Sequence, residues 1–201
     1  AAHKQHPFIA IWDDHESANK AYKDGAENHN EGEGSWEARK AISKKVFFEW
    51  MPIREYPDNK IYRTINYGQL ADLILLDTRL EGREKQLTDA SHPKLQDKDR
   101  TILGANQKAW FLNQLGNSNA KWKIIGNQVL FSEFNVGWAA AHLETTPNEL
   151  ESQYLDIWDG YPAERNEIID YIDQNNIDDI LILTGNLNTS FAFDVTKNPS
   201  E

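Results

Sequence analysis

Asp13, Asp14, His15 and Glu16 follow one another without a break, and Asn19 comes one turn later. Together they offer two carboxylates, an imidazole and an amide oxygen in one short segment. Hard oxygen donors of this kind suit Ca²⁺, Mg²⁺ or Mn²⁺, and the imidazole admits Fe or Zn. Near the other end, Asn186 and Asn188 stand two residues apart in TGNLNTS. An asparagine there either closes a turn or sits where a metal ligand would sit. Arg54, in EWMPIRE, and Arg79, in LLDTR, are the cations that could hold phosphoryl oxygens bidentately. Two metal ions about 3.5–4 Å apart are a common arrangement for phosphate-ester hydrolysis, because they stabilise both the attacking and the leaving oxygen.

These residues must be positioned by the elements that precede them. Four apolar runs of strand length occur at residues 8–12 (FIAIW), 70–77 (LADLILLD), 121–126 (KWKIIG) and 179–185 (DILILTG). Continuous apolar runs predict central strands covered on both faces. Each run ends in polar side chains: Asp13-Asp14-His15-Glu16, Thr78-Arg79, Asn127-Gln128 and Asn186-Leu187-Asn188. In α/β sheets, ligands bind beyond the carboxyl ends of the strands, so these four ends would converge on one site. Helical patterns lie between the runs, at residues 36–51, 106–115 and 162–176. The first places Ala38, Ile42, Lys45 and Val46 on one stripe, widened by Phe47, Trp50 and Met51. The last opens on Pro162 with Glu164 in its first turn. The order of elements predicts a layered α/β domain. Polar insertions at residues 23–35, 81–101 and 144–153 read as loops.

Composition bounds the partners. The chain has 201 residues, 39% hydrophobic and 26% charged, enough for one domain with a hydrophobic core. A net charge of −11 argues against nucleic acid or an anionic membrane held by bulk electrostatics. It also means that a phosphorylated substrate needs local cations. The absence of cysteine excludes disulfide and thiolate chemistry. No apolar run approaches the ~18 residues of a membrane span, and residues 1–16 do not form a signal peptide.

Plainer roles compete with the chemical ones. The Asp-Asp-His-Glu cluster also fits a solvated helix start. Arg79 after a strand also fits an ion pair, and Asn127 also fits a turn. His29, His92 and His142 fit surface histidines. Trp36, Trp50, Trp110, Trp122 and Trp138 fit the core, while Trp12 and Trp158 either pack or line the site.

The string WDDHESANKAY resembles the metal-binding block of the alkaline phosphatase D (PhoD-like) family. Further blocks follow in the family's order: FFEWMPIRE, IYRTINYGQLADLILLDTRLEGRE, LGANQKAWFLNQLGNSNAKWKIIGNQVLFS, DIWDGYPAERNEIIDYI and ILILTGNLNTSFAFD. The resemblance covers nearly the whole chain. It implies a metallophosphatase-like layered α/β/β/α sandwich, present in part. Residues 1–201 would then be one portion of a single such domain, cut short at the N-terminal and also the C-terminal side. It implies hydrolysis of phosphomonoesters and phosphodiesters by metal-activated water, with iron and calcium as the metal ions and a periplasmic or extracellular location. Carried over by residue, Asp13, Asp14 and Asn19 resemble metal-site residues. His15 resembles the imidazole that touches the phosphate or protonates the leaving group. Arg54 and Arg79 resemble the cations around the phosphate, and Asn127 sits in a family-like strand end.

Two departures qualify this. The family's Gly-Asp-x-x-Tyr motif, which supplies further ligands, is absent from residues 1–201. Its last block, Thr-Gly-Asp-x-His-Thr-Ser, here reads Thr184-Gly185-Asn186-Leu187-Asn188-Thr189-Ser190. Asn186 keeps a neutral oxygen, whereas Asn188 lacks the imidazole, so cation affinity should fall. Weak or no phosphatase activity is expected of these 201 residues alone. The alternative is a catalytically degenerate phosphatase-like domain with a binding or interaction role. A nuclease on a related sandwich is disfavoured by the acidic charge.

Overall fold

The computed structural model describes residues 2–55 and 60–196. Its centre is a sheet of four strands in the order β1 (Arg63–Tyr67), β2 (Ala71–Leu75), β3 (Trp122–Asn127) and β4 (Ile180–Thr184). β1 and β2 form an antiparallel pair joined by a tight turn through Gly68, whose φ of 58° suits glycine. β2, β3 and β4 are parallel, and Ile74, Ile125 and Ile182 align across them. Helix α1 (Ala2–Gln5) is one short turn; α2 (Trp36–Trp50), α3 (Gly104–Asn117), α4 (Pro147–Ser152) and α5 (Pro162–Gln174) follow.

The main core lies between the sheet and α3 and α5. Ile74, Ile125 and Leu76 meet Phe111 and Leu115 of α3 and Ile168 of α5. Parallel strands need crossovers, and these helices close onto the sheet face as they make them. The opposite face carries Leu73, Ile124 and Leu181 in one row and Leu75, Gly126 and Leu183 in the next. Leu181 and Leu183 are about half exposed. A second cluster joins Trp12, Ala18, Ala21, Trp36, Phe47, Ile61 and Leu80, and anchors α2 over the start of the chain.

Three of the four expected strands form. Residues 8–12 do not: no ladder pairs them among the described residues. The Arg63 guanidinium donates to the Ala10 carbonyl at 2.7 Å, and Ile11 lies beside Gly126. β1, which the apolar pattern does not reveal, takes the edge beside β2 instead. Its residues RTINY alternate poorly because its outer half is open.

The expected helices form within two residues at each end. The buried side of α2 differs from the expected stripe. Trp36 and Phe47 face inward, three turns apart, while Ile42 and Val46 are exposed at 62% and 46%. The Trp36 indole N–H donates to the Lys23 carbonyl at 3.0 Å, which fixes the rotation of the helix. Trp50, Trp122 and Trp138 are likewise exposed rather than core, whereas Trp12 and Trp158 are fully buried packing residues. Within 144–153, Thr146 and Glu149 form a reciprocal capping box and start α4.

Candidate functional site

The site grows from the end of β2. Leu76 continues the strand, and Asp77-Thr78-Arg79-Leu80 turns sharply. Asp77 Oδ1 accepts hydrogen bonds from the Arg79 and Leu80 amides, both at 2.9 Å, which is how a short carboxylate closes such a turn. Two buried glutamines hold the backbone on either side. Gln107 of α3 binds both the N–H and the C=O of Asp77 at 2.8 Å. Gln128 donates to the Leu76 carbonyl at 2.6 Å and accepts from the Thr78 amide and hydroxyl. Gly82 packs directly on Gly104, whose φ is 73°; a Cβ on Gly82 would overlap the Gly104 backbone. That close approach seats the 79–83 loop against the start of α3.

Arg79 is the hub. Its side chain is completely buried, and it binds Asp13 Oδ1 through Nε at 2.6 Å. Its Nη1 spans both carboxylate oxygens of Asp156 at 3.0 and 2.9 Å. Asp14 Oδ1 lies 3.9 Å from Nη2, which makes no hydrogen bond. Arg83, also buried, donates to Asp156 Oδ1 at 2.7 Å and to the Asp156 carbonyl at 2.8 Å. Burial works against the charge on Arg79, but the Coulombic pull of Asp156, Asp13 and Asp14 and the hydrogen bond to Asp13 outweigh it, and its pKa is raised. Desolvated charges of this kind persist only when paired, and two arginines here share one aspartate.

The WDDHE segment forms a turn rather than a helix. The Ser17 and Ala18 amides bind the Asp14 carbonyl at 2.9 and 2.8 Å. Asp14 Oδ2 accepts from the Lys20 amide at 2.7 Å, and Glu16 caps the Asp13 amide at 2.8 Å. His15 projects outward and meets Asn19 Oδ1 at 3.1 Å; the Asn19 amide in turn binds Glu27. The last strand end closes on the same place. Asn186 and Asn188 both adopt left-handed backbone, φ 67° and 56°. Asparagine tolerates that region well. The Asn186 amide donates to Asp13 Oδ2 at 2.6 Å.

The structure therefore brings together Asp13, Asp14, Arg79 and Asn186, with His15 and Asn19 on the rim. Asn188 is exposed on the outer wall of a cavity of about 540 Å³ that it shares with Asn186. Arg54 is exposed and makes no hydrogen bond or ion pair with Asp13, Asp14, Arg79 or Asp156 among the described residues. Asn127 is buried, its side chain spent on the Trp158 indole at 3.3 Å and the Val129 carbonyl.

As a metal shell this set is partial. Among the described residues no three His, Cys, Asp or Glu side chains are placed to share one ion. Asp13 and Asn186 are the donors in direct contact, and hard cations take about six oxygen ligands. Asp13 fits one position of such a shell, and Asn186 would fit a second only with its amide turned to present the oxygen.

Asp156 and Arg83 were not singled out by sequence. The available signal was the Arg-x-x-x-Arg spacing of 79 and 83 beside apolar strands, which demands a buried carboxylate. Glu164 was noticed only as a first-turn residue. It is buried and binds the Thr101 hydroxyl and the Ile102 and Leu103 amides at 2.8, 2.6 and 3.3 Å, pinning the start of α3.

A mostly parallel sheet under helices, with carboxylates, arginines and amides gathered at its strand ends, defines a mixed α/β protein with a polar site at the strand ends. The family model described as PhoD-like phosphatase matches residues 1–201, and the chain belongs to that family. Alkaline phosphatase D of Bacillus subtilis (strain 168) is 32% identical over 200 residues, 96% of this chain and 33% of the relative. A solved structure, "Structure of PhoD", superposes with a TM-score of 0.79 at 31% identity, covering 97% of this chain and 37% of the other. The chain thus spans about a third of the length of the curated relative. No helix among the described residues is long and apolar enough to cross a membrane.

Proposed function

We propose that these residues are one part of a single metallophosphatase domain that hydrolyses phosphate mono- or diesters, with its reaction centre beyond the carboxyl ends of β2 to β4. The observation that carries this is the Arg79 hub, where WDDHE, LDTR and DIWDG meet and which Asn186 joins through Asp13. Family membership and the likeness to alkaline phosphatase D support it.

In the reaction, a water oxygen forms a bond to phosphorus, the ester P–O bond breaks, and the departing alcohol oxygen takes a proton. Metal ions, iron with calcium by resemblance, would supply an activated water and offset phosphoryl charge. The chain's own residues do the rest. Arg79, held by Asp156, fixes the carboxylate of Asp13. Asp13 offers its carboxylate, with the Asn186 side-chain amide hydrogen-bonded to it, and Asp14 lies on the far side of the Arg79 guanidinium. Arg79 Nη2 is a buried donor that makes no hydrogen bond among the described residues. Exposed His15, oriented by Asn19, gives its proton to the leaving alcohol. By resemblance, Arg54 contributes to phosphate binding. By resemblance we propose a periplasmic or extracellular location, which fractionation of the source cells would check.

The test is turnover of bis(p-nitrophenyl) phosphate by the full encoded protein, with a chelator control. Chelator-sensitive hydrolysis is expected there, and weak or no turnover from residues 1–201 alone. Failure of the full protein to turn over with any of Ca, Mn, Fe or Zn would sink the proposal.

One observation favours a second reading, a degenerate domain that binds without catalysis. The Asn186 amide already satisfies Asp13 with a hydrogen bond, a role that needs no cation. Activity that appears only in the Asn186→Asp, Asn188→His double variant of the full protein would select that reading.

A further inference from the structure

We infer that the cavity beside Asn186 is a stacking subsite for a flat ring in the alcohol half of the ester, so that aryl phosphate esters are preferred to small aliphatic ones. The inference rests on the phosphatase reading for the phosphate half, whereas the ring half stands on its own geometry. The cavity, about 540 Å³, is of the size that small organic ligands occupy. Asn186, Asn188 and Ser190 line its polar side, and Leu130 and Phe191 its apolar side. Asn186 also binds Asp13, so the cavity shares a wall with the charged cluster.

Phe191, the ring on that side, belongs to a built row of rings. Phe191 meets Phe134 edge-on, with centroids 5.6 Å apart and planes at 63°. Phe134 meets Tyr154 at 5.1 Å and 75°, and Phe193 flanks Phe191 at 5.5 Å. The base of the row is fixed, because Asp159 Oδ2 accepts the Phe134 backbone N–H at 2.8 Å and Arg165 holds Asp159 at 2.5 Å. Phe191 itself is 55% exposed and lines the cavity. A ring held edge-on by Phe134, flanked by Phe193 and still half exposed is preorganised to take a further ring by offset stacking or edge contact. A methyl or glycerol group would gain contact area there but none of that ring–ring geometry.

The test uses the full encoded protein with its metals and three probes, phenyl phosphate, methyl phosphate and phenol, followed by ligand-observed NMR titration on a timescale short of turnover. Phenyl phosphate should bind roughly tenfold more tightly than methyl phosphate. Phe191→Ala should bring the two within about twofold while leaving methyl phosphate unchanged, and Phe191→Leu, which keeps bulk without the ring, should fall between. Phenol binding that depends on Phe191, with neither phosphate ester bound through its phosphate, supports the ring subsite and counts against the phosphatase reading. Equal affinity for phenyl and methyl phosphate overturns the inference. So does a preference that survives Phe191→Ala, or no binding of either aromatic probe.

Discussion

The amide of Asn186 donates to Oδ2 of Asp13 at 2.6 Å, joining residues 173 positions apart at the foot of the candidate site. An aspartate at 186 would turn that donor into an acceptor facing a carboxylate. We predict that Asn186→Asp destabilises the chain by about 1–3 kcal/mol in chelator. Millimolar Ca²⁺ should recover most of the loss, because a cation between two carboxylates replaces the hydrogen bond. Thermal unfolding with and without Ca²⁺ measures this, and an identical Ca²⁺ response in wild type and variant would remove position 186 from the ligand set.

Asp156 is the shared counter-ion of Arg79 and Arg83. Removing it leaves two buried guanidinium groups short of charge. Asp156→Ala should cost about 3–5 kcal/mol, and Asp156→Asn, which keeps an oxygen acceptor, should cost less. Urea unfolding resolves the difference. A loss under about 1 kcal/mol for the alanine variant would mean the network relaxes into solvent.

Glu164 gives a pH signature. Burial pushes its carboxyl above the usual 4.5, against the hydrogen bonds from Ile102, Thr101 and Leu103 and the charge of Lys108. Because the folded pKa lies above the unfolded one, the stability this group contributes is fully present below about pH 4.5 and is lost as pH rises through the folded value. Asp159, also pushed up mainly by burial, acts in the same direction. Unfolding free energies across pH 4 to 8 should therefore show wild type losing ground to Glu164→Gln as pH rises. A difference between the two that stays constant across that range would contradict it.

The rotation of α2 makes a contrast within one helix. Phe47→Ala should cost about 3–5 kcal/mol, since the ring is buried against Trp12. Ile42→Lys, on the exposed side, should stay within about 0.5 kcal/mol. Denaturant midpoints of the two variants compare them directly; a costly Ile42→Lys would place the stripe on the other side.

The parallel strands were legible because Leu and Ile run without interruption through 73–76 and 180–183 and leave no room for helical spacing. α5 was legible from Pro162 and Glu164 at its start. β1 was not, because RTINY borders solvent and its pairing is decided by the turn at Gly68 and by β2. FIAIW has a strand's composition, but Arg63 reaches it by a side chain and not a ladder, a contact 53 positions away that no local pattern encodes.

At the site, residue types alone determined that carboxylates, amides and arginines end the strands, and that TGNLNTS departs from its family's acidic and imidazole pair. Which of these residues meet was decided only by folding. Asp13, Asp14, Arg79 and Asn186 converge, Asn127 turns inward, and Arg54 stays outside. The physical reason is charge burial. Arg79 cannot be desolvated unless carboxylates from two other segments reach it, and that requirement draws Asp13 and Asp156 to one point.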